Sequence, residues 1–265
     1  MMPPAKRLGE LWGAAAEDWA DHQEPFSRPL WEAMLDDGRV GEGTRFFDAG
    51  CGGGGASVLA ARRGARIWGL DAAEPMIRIA AARLPDGDFR TGDLVALPYP
   101  DDSFDVAFAS LSIMLATDPV AALRELLRVT ASAGCILVAI WGTREECEMR
   151  VVLKAIRDTL PAPPQGKGPF VLSGTGALEA LIEQAGGVVQ GGAGVDCPFE
   201  YADFETLWRA QRSAGPFQGA FQVVGEARLK EAVERAVAPF RTGAGRIRLE
   251  NRFRYVKARP SERAA

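Results

Sequence analysis

Residues 45–55 read RFFDAGCGGGG, an apolar segment that runs directly into four consecutive glycines. This pattern predicts a strand that ends in a tight turn, because glycine adopts backbone conformations that other residues avoid. Residues 56–63 predict the helix that follows, and strands and helices alternate from there to residue 142. The alternation predicts an α/β fold with a mostly parallel sheet and helices on both faces.

The segments on either side of this alternating region are more helical. Apolar residues recur at helical spacing over residues 8–20, and a second helix is predicted from Ser27 to Asp37. Beyond residue 142 the pattern predicts helices at 145–160, 175–185, 203–214 and 226–241, a strand at 188–200, and a loop rich in proline and glycine at 161–170. The stretch RIRLENRFRYVKAR (246–259) alternates polar and apolar residues, which predicts one final strand.

The composition argues against several classes of function. The 265 residues carry a net charge of −4 and no basic block, so the chain is a poor candidate for binding nucleic-acid phosphates. Its four cysteines form no C-x-x-C pair, so neither a disulfide framework nor a metal site is expected. The N-terminal residues include acidic side chains where a signal peptide needs an apolar stretch, and no apolar run is long enough to span a bilayer. We therefore expect a cytoplasmic protein that binds neither nucleic acid nor membranes.

The glycine turn leaves alternatives open. Gly50, Gly52 and Gly55 match the G-x-G-x-x-G pattern of dinucleotide-binding turns, which favours a nicotinamide oxidoreductase. Asp48, however, stands two residues before the first glycine and would repel a pyrophosphate, whereas it would attract a ligand with an ammonium group. A tight turn without any ligand is the third alternative.

Residues after the next two strands predict a nucleoside site. Asp71 closes the second strand, where a carboxylate can accept hydrogen bonds from ribose hydroxyls or cap the following helix. Met76 follows in the sequence DAAEPM, where it would contact a purine ring or pack in the core. After the third strand, the carboxylate of Asp93 and the N–H of Leu94 can bind the edge of adenine.

Taken together, these motifs resemble the class I S-adenosylmethionine-dependent methyltransferases. The similarity is greatest to the small-molecule group related to ubiquinone and menaquinone methyltransferases, known as methyltransferase type 11. The resemblance covers about residues 45–142 and rests on DAGCGGGG, GLDAAEPM, TGDLVALPYPDDSFDVAFAS and DPVAALRELLRVTASAGCILVAIWG. It implies a seven-stranded Rossmann-like sheet with an antiparallel last strand. It also implies S-adenosyl-L-methionine as the cofactor and S-adenosyl-L-homocysteine as the product.

The resemblance further implies roles for individual residues. The methionine part of the cofactor would lie on the glycine turn, the ribose on Asp71, and the adenine beside Met76, Asp93 and Leu94. The residues implied to bind the cofactor are Asp48, Gly50, Cys51, Gly52, Gly54, Asp71, Ala72, Met76, Asp93, Leu94, Ser110 and Leu111.

We predict a single methyltransferase domain over residues 1–265. Its parts are an N-terminal helical cap (1–40), the cofactor-binding core (44–142), the rest of the core (143–200), a helical lid segment (201–243) and the last strand (244–259). The lid segment lies where a plain family core has only a turn, which predicts that it covers the acceptor.

The fourth strand is followed by SLSIMLAT, where many members of the family carry histidine or aromatic residues. The candidate general base is therefore the single histidine, His22, with a surface histidine as the alternative. The residues predicted to contact the acceptor are apolar or aromatic, namely Trp12, Trp19, Met114, Leu115, Trp141, Trp208 and Phe217.

Such a lining favours a small, largely apolar organic acceptor, methylated at a nitrogen, oxygen or carbon atom by in-line displacement. We expect the enzyme to act as a monomer or homodimer. Alternatives are a methyltransferase fold that performs other chemistry, such as decarboxylation or cyclisation, and a cofactor sensor without catalytic activity.

Overall fold

The computed structural model describes residues 4–162 and 168–261. Within these ranges the strands are β1 (Arg45–Ala49), β2 (Arg66–Asp71), β3 (Asp88–Thr91), β4 (Phe104–Ser110), β5 (Thr130–Trp141), β6 (Gly187–Asp196), β7 (Phe199–Tyr201), β8 (Ile247–Leu249) and β9 (Arg252–Pro260). Seven of them form the main sheet in the order β3-β2-β1-β4-β5-β9-β6, and β7 pairs with β8 in a separate two-stranded ribbon.

The main sheet has the predicted topology. Strand β1 pairs in parallel with β2 and β4, whereas β9 is antiparallel to both β5 and β6. The strand order reverses between β1 and β4, and in open α/β sheets ligands bind outside the carboxyl ends of the strands at such a point. The glycine turn follows β1 and therefore lies at this position.

The α-helices are α1 (Pro4–Gly13), α2 (Ala16–Asp18), α3 (Arg28–Asp37), α4 (Gly55–Arg62), α5 (Glu74–Arg83), α6 (Pro119–Val129), α7 (Arg150–Thr159), α8 (Ala177–Gln184), α9 (Phe204–Arg212), α10 (Gly215–Val224) and α11 (Glu226–Val237). Helix α6 begins where Asp118-Pro119 predicts it, because the Asp118 carboxylate accepts a hydrogen bond from the N–H of Ala121 at 3.0 Å. None of the helices in the described ranges is long and apolar enough to cross a membrane.

Some element boundaries differ from the prediction. The expected helix over 8–20 is divided into α1, α2 and a π-helical segment, Trp19–Gln23. The expected single final strand is divided into β8 and β9 at residues 250–251, where the buried Oδ1 of Asn251 accepts a hydrogen bond from the N–H of Met149. Helix α10 was not predicted, because Gly215-Pro216 reads as a turn although proline is compatible with the first turn of a helix. Of the predicted loop at 161–170, residues 163–167 lie outside the described residues.

Apolar side chains fill both faces of the sheet. On one face the core extends from α3 through α7 into the lid segment, and on the other face α6 and α8 cover the central strands. Within the lid segment α10 contacts α1, α9 contacts the π-helical segment, and α11 packs on α7. The lid segment and the N-terminal cap are therefore packed against each other. All four cysteines are free and buried.

Candidate active site at the glycine turn

The turn after β1 requires glycine at several positions. Gly50, Gly52 and Gly54 have φ angles of 78°, 54° and 82°, in the left-handed region that other residues rarely adopt. Space is also restricted, because a β-carbon on Gly50 would lie 2.4 Å from the β-carbon of Ser112. The turn therefore presents bare backbone to whatever lies against it.

The carboxylate of Asp71 is bound to the glycine turn. Its Oδ2 accepts a hydrogen bond from the N–H of Gly52 at 3.0 Å, and its Oδ1 accepts one from the N–H of Ala73 at 2.8 Å. The second bond closes the turn before α5, whose N-cap residue is Ala73, so Asp71 does not cap this helix. Asp71 thus joins the carboxyl ends of β1 and β2.

A second carboxylate reaches the turn from the N-terminal cap. Glu24 is 6% exposed, and its Oε1 accepts a hydrogen bond from the N–H of Gly53 at 2.9 Å. Its Oε2 accepts one from Arg83 on α5 at 2.8 Å, and the same guanidinium donates to the carbonyl oxygens of Gly53 and Ala20. Sequence reasoning missed both Glu24 and Arg83, because their pairing joins segments that are 59 residues apart.

The third carboxylate, Asp48, lies beneath the turn. It is 2% exposed, and its Oδ2 accepts a hydrogen bond from the hydroxyl of Ser57 at 2.7 Å. Burial raises the pKa of Asp48 to about 7, and the nearby charges of Glu24 and Asp71 add to the increase. Burial likewise raises the pKa values of Glu24 and Asp71, although Arg83 opposes this at Glu24.

The thiol of Cys51 lies among these carboxylates. Burial raises the pKa of Cys51 well above its ordinary value, and the charges of Asp48, Asp71 and Glu24 raise it further. A thiol held in its neutral form is a weak nucleophile. Cys51 therefore acts as a small apolar residue under the turn.

The end of β4 forms the opposite wall of the turn. Leu111 has a φ of 60°, a strained conformation for a residue with a branched side chain. Ser110 Oγ accepts a hydrogen bond from the indole N–H of Trp31 at 3.1 Å, and Ser112 Oγ donates one to the carbonyl oxygen of Ala49 at 2.6 Å. The first bond joins the end of β4 to α3 and the second joins it to β1, which brings the predicted Ser110 and Leu111 to the turn.

The N-terminal cap covers the segment after β2. A β-carbon on Gly9 of α1 would lie 2.1 Å from the carbonyl oxygen of Ala72, so the two backbones touch. Met76 is buried and packs with Trp12 and Trp19, whose rings meet edge to face at 4.7 Å. Met76 therefore packs in the core, and its contact with the adenine stays a prediction.

The predicted adenine-binding residues lie in the loop after β3. The Oδ1 of Asp93 accepts a hydrogen bond from the N–H of Val95 at 3.2 Å, which shapes this loop. Both Asp93 and Leu94 are partly buried. Strand β3 pairs with β2, so these two residues lie at the same carboxyl edge of the sheet as Asp71.

The predicted acceptor residues do not form one group. Met114 and Leu115 lie in a short 3₁₀ helix after β4, and Trp141 at the end of β5 packs on Phe253. Trp208 and Phe217 are 3% and 1% exposed and pack on each other inside the lid segment. Their alanine variants would therefore lose stability by about 3–5 kcal/mol, whatever their contact with the acceptor.

Trp19 lies at the turn, because its indole Nε1 is 3.8 Å from a β-carbon built on Gly52. Trp12, on α1, lies against the N-terminus of α10, where a β-carbon on Gly215 would lie 2.7 Å from its indole Nε1. His22 is partly buried in the π-helical segment, two residues before Glu24. In the described ranges its imidazole has no hydrogen-bond partner, so its role as a base stays a prediction.

Comparison with known proteins agrees with this geometry. Residues 47–138 match the family model described as methyltransferase domain. This match assigns residues 47–138 to the methyltransferase domain family, and the sheet order above agrees with it.

Two curated proteins and one solved structure are similar to parts or to the fold of this chain. It is 37% identical over 117 residues to the malonyl-acyl-carrier-protein O-methyltransferase of Serratia marcescens, covering 44% of this chain and 46% of that protein. It is 38% identical over 97 residues to the demethylmenaquinone methyltransferase of Renibacterium salmoninarum, covering 37% of this chain and 41% of that protein. The chain thus matches less than half the length of either relative.

The YcgJ protein of Bacillus subtilis has the same fold, with a TM-score of 0.61, 18% identity, and coverage of 88% of this chain and 98% of that one.

Proposed function

We propose that this protein transfers a methyl group from S-adenosyl-L-methionine to a small, largely apolar organic acceptor. The observation that carries the proposal is the set of three carboxylates, Glu24, Asp48 and Asp71, around a turn of bare backbone. The cofactor has two positive groups, a sulfonium and an ammonium, against one carboxylate. Its net charge therefore complements these side chains, whereas the pyrophosphate of a nicotinamide cofactor would be repelled.

The cofactor supplies an already activated methyl group, so the protein's task is to bind, orient and exclude water. In this proposal Asp71 binds the ribose hydroxyls, and Asp93 with the N–H of Leu94 binds the adenine edge. Gly50, Gly52 and Gly54 carry the amino-acid part of the cofactor. The strained Leu111 fixes the wall beside them.

The proposed acceptor follows from the side chains near the β4 end. Ile113, Met114 and Leu115 are apolar and follow Ser112 directly, so no charged side chain is contributed by this loop. An apolar lining favours an apolar acceptor, with specificity set by a few polar groups. The names of the two relatives, malonyl-acyl-carrier-protein O-methyltransferase and demethylmenaquinone methyltransferase, describe those proteins. Their acceptors define a first panel to test here.

The proposal is tested by binding and by transfer. We expect S-adenosylhomocysteine to raise the melting temperature of the protein, and NAD at the same concentration to leave it unchanged, because a ligand stabilises only the state that binds it. Isotope-labelled S-adenosylmethionine should then transfer its methyl group to at least one acceptor of the panel.

The outcomes separate the alternatives. Stabilisation by NAD alone would favour an oxidoreductase. If S-adenosylhomocysteine binds and an acceptor is converted into a product without the labelled methyl group, a methyltransferase fold with other chemistry is favoured. Binding without any conversion would favour a cofactor sensor.

A further inference from the structure

Two polar atoms of the N-terminal cap face the middle of the glycine turn. A β-carbon on Gly52 would lie 3.0 Å from Oε1 of Glu24 and 3.8 Å from Nε1 of Trp19. One is a carboxylate oxygen, and the other is an indole N–H donor. None of the other described residues accepts a hydrogen bond from Trp19 Nε1. The cap therefore brings one acceptor and one donor to the same position.

Glu24 is held rigidly at this position. Arg83 binds its Oε2 and donates to the carbonyl oxygens of Gly53 and Ala20, so the cap, the turn and α5 are joined through one guanidinium. The N–H of Gly53 donates to Oε1, and the N–H of Gly55 also binds this carboxylate. A carboxylate has about four acceptor sites, so it can take one further donor without displacing Arg83.

The other two carboxylates approach the turn from other sides. Asp48 lies beneath the turn, where its Oδ2 accepts a hydrogen bond from the hydroxyl of Ser57, and Asp71 lies at the end of β2, where it is proposed to bind the ribose. Glu24 is thus the carboxylate that reaches the turn from the side of the cap.

We infer that Glu24 binds the α-ammonium group of the cofactor's amino-acid tail, and that Trp19 Nε1 donates to the carboxylate of the same tail. This inference rests on the function proposed above. It assigns recognition of the tail to the N-terminal cap, so the cofactor site is complete only when the cap lies on the turn. It also gives Trp19 a cofactor role in place of the acceptor role that its sequence position suggested.

The test compares two ligands that differ in this tail. S-adenosylhomocysteine has the amino-acid tail, whereas 5′-methylthioadenosine retains the nucleoside and the sulfur without it. We expect Glu24→Gln to weaken S-adenosylhomocysteine by about tenfold or more in calorimetry, since a charge-assisted hydrogen bond is lost. Its affinity for 5′-methylthioadenosine should change by less than about twofold. Trp19→Phe should weaken the tailed ligand selectively by about threefold or more.

Glu74→Gln is the matched control, because Glu74 lies exposed on α5 and pairs only with Arg78 among the described residues. It should leave both ligands unaffected. If wild-type protein binds neither ligand, the proposed function fails. If the wild type binds both, and Glu24→Gln weakens both equally or neither, the assignment of Glu24 is overturned. If Glu24→Gln does not fold, Trp19→Phe decides, and equal weakening of both ligands in that variant, or of neither, would overturn the assignment.

Discussion

The hydroxyl of Tyr201 donates a hydrogen bond to Oε1 of Gln23 at 2.8 Å, in the interior of the protein. The side-chain amide of Gln211 donates to both of these atoms, at 2.8 Å and 2.9 Å. Tyr201 lies in β7 and Gln211 in α9, whereas Gln23 ends the π-helical segment of the N-terminal cap. Three buried polar side chains thus join the lid segment to the cap, next to the residues that contact the glycine turn.

Loss of the Tyr201 hydroxyl should destabilise the protein. Tyr201→Phe leaves the buried oxygen of Gln23 with one partner fewer, which we expect to cost about 1–3 kcal/mol of unfolding free energy in urea denaturation. Tyr99→Phe is the control, because the Tyr99 hydroxyl is buried without a partner among the described residues. Its removal should be neutral or stabilising. Equal losses in the two variants would show that the three-residue network contributes nothing specific.

Asp71 should affect cofactor binding more than folding. Asp71→Ala removes the proposed ribose ligand, and we expect S-adenosylhomocysteine to bind more weakly by about 1.5–3 kcal/mol in calorimetry. Some stability is also lost, because the N–H groups of Gly52 and Ala73 lose their acceptor. Asp86→Asn, in the exposed turn before β3, is the control for a change of charge. Unchanged affinity in a folded Asp71→Ala protein would refute the ribose assignment.

The sequence predicted those parts of the fold that depend on local patterns. RFFDAG and GLDAAEPM predict the strand ends that carry Asp48 and Asp71, because apolar periodicity and glycine act over a few residues. Pairings between distant segments leave no such signal. Glu24 reads as a surface residue of a helix until Arg83 and the turn are placed beside it. Likewise, Trp208 and Phe217 suggest a pocket wall but fill the core of the lid segment.

Asp48 should make the stability of the ligand-free protein depend on pH. Its pKa is raised from 3.8 to about 7 in the folded chain, so the folded state keeps this proton to a higher pH than the unfolded state. The stabilisation is fully present below about pH 4 and is lost as the pH rises through about 7. Asp48→Asn removes this loss of stability. We therefore expect the free energy of unfolding of the variant to exceed that of the wild type by about 1–4 kcal/mol at pH 8. At pH 4 the advantage should disappear. A constant difference in urea denaturation at the two pH values would contradict the shifted pKa.

Cofactor affinity should depend on the same ionisation of Asp48. It should rise with pH, whereas the stability of the ligand-free protein falls. A cationic ligand favours the carboxylate form of Asp48, so S-adenosylmethionine should bind more tightly as the pH rises through about 7. Burial raises the pKa values of Glu24 and Asp71 in the same direction, so Asp48→Asn should flatten this dependence without abolishing it. Calorimetry at pH 6 and pH 8 on both proteins measures the difference. An affinity that falls with pH in the wild type would contradict the carboxylate-based site.

His22 provides the test of whether the protein contributes a base at all. It is the single histidine of the chain, and it lies in the π-helical segment between Trp19 and Glu24, the two cap residues nearest to Gly52. Proton transfer by a positioned side chain contributes about 10²- to 10⁴-fold to a rate, so His22→Ala should lower kcat by about tenfold or more. His22→Gln is the matched variant, since it keeps a polar side chain of similar size but cannot accept the proton. If His22→Ala retains full activity on the acceptor, the reaction needs no enzymic base, and alignment of the two substrates accounts for catalysis.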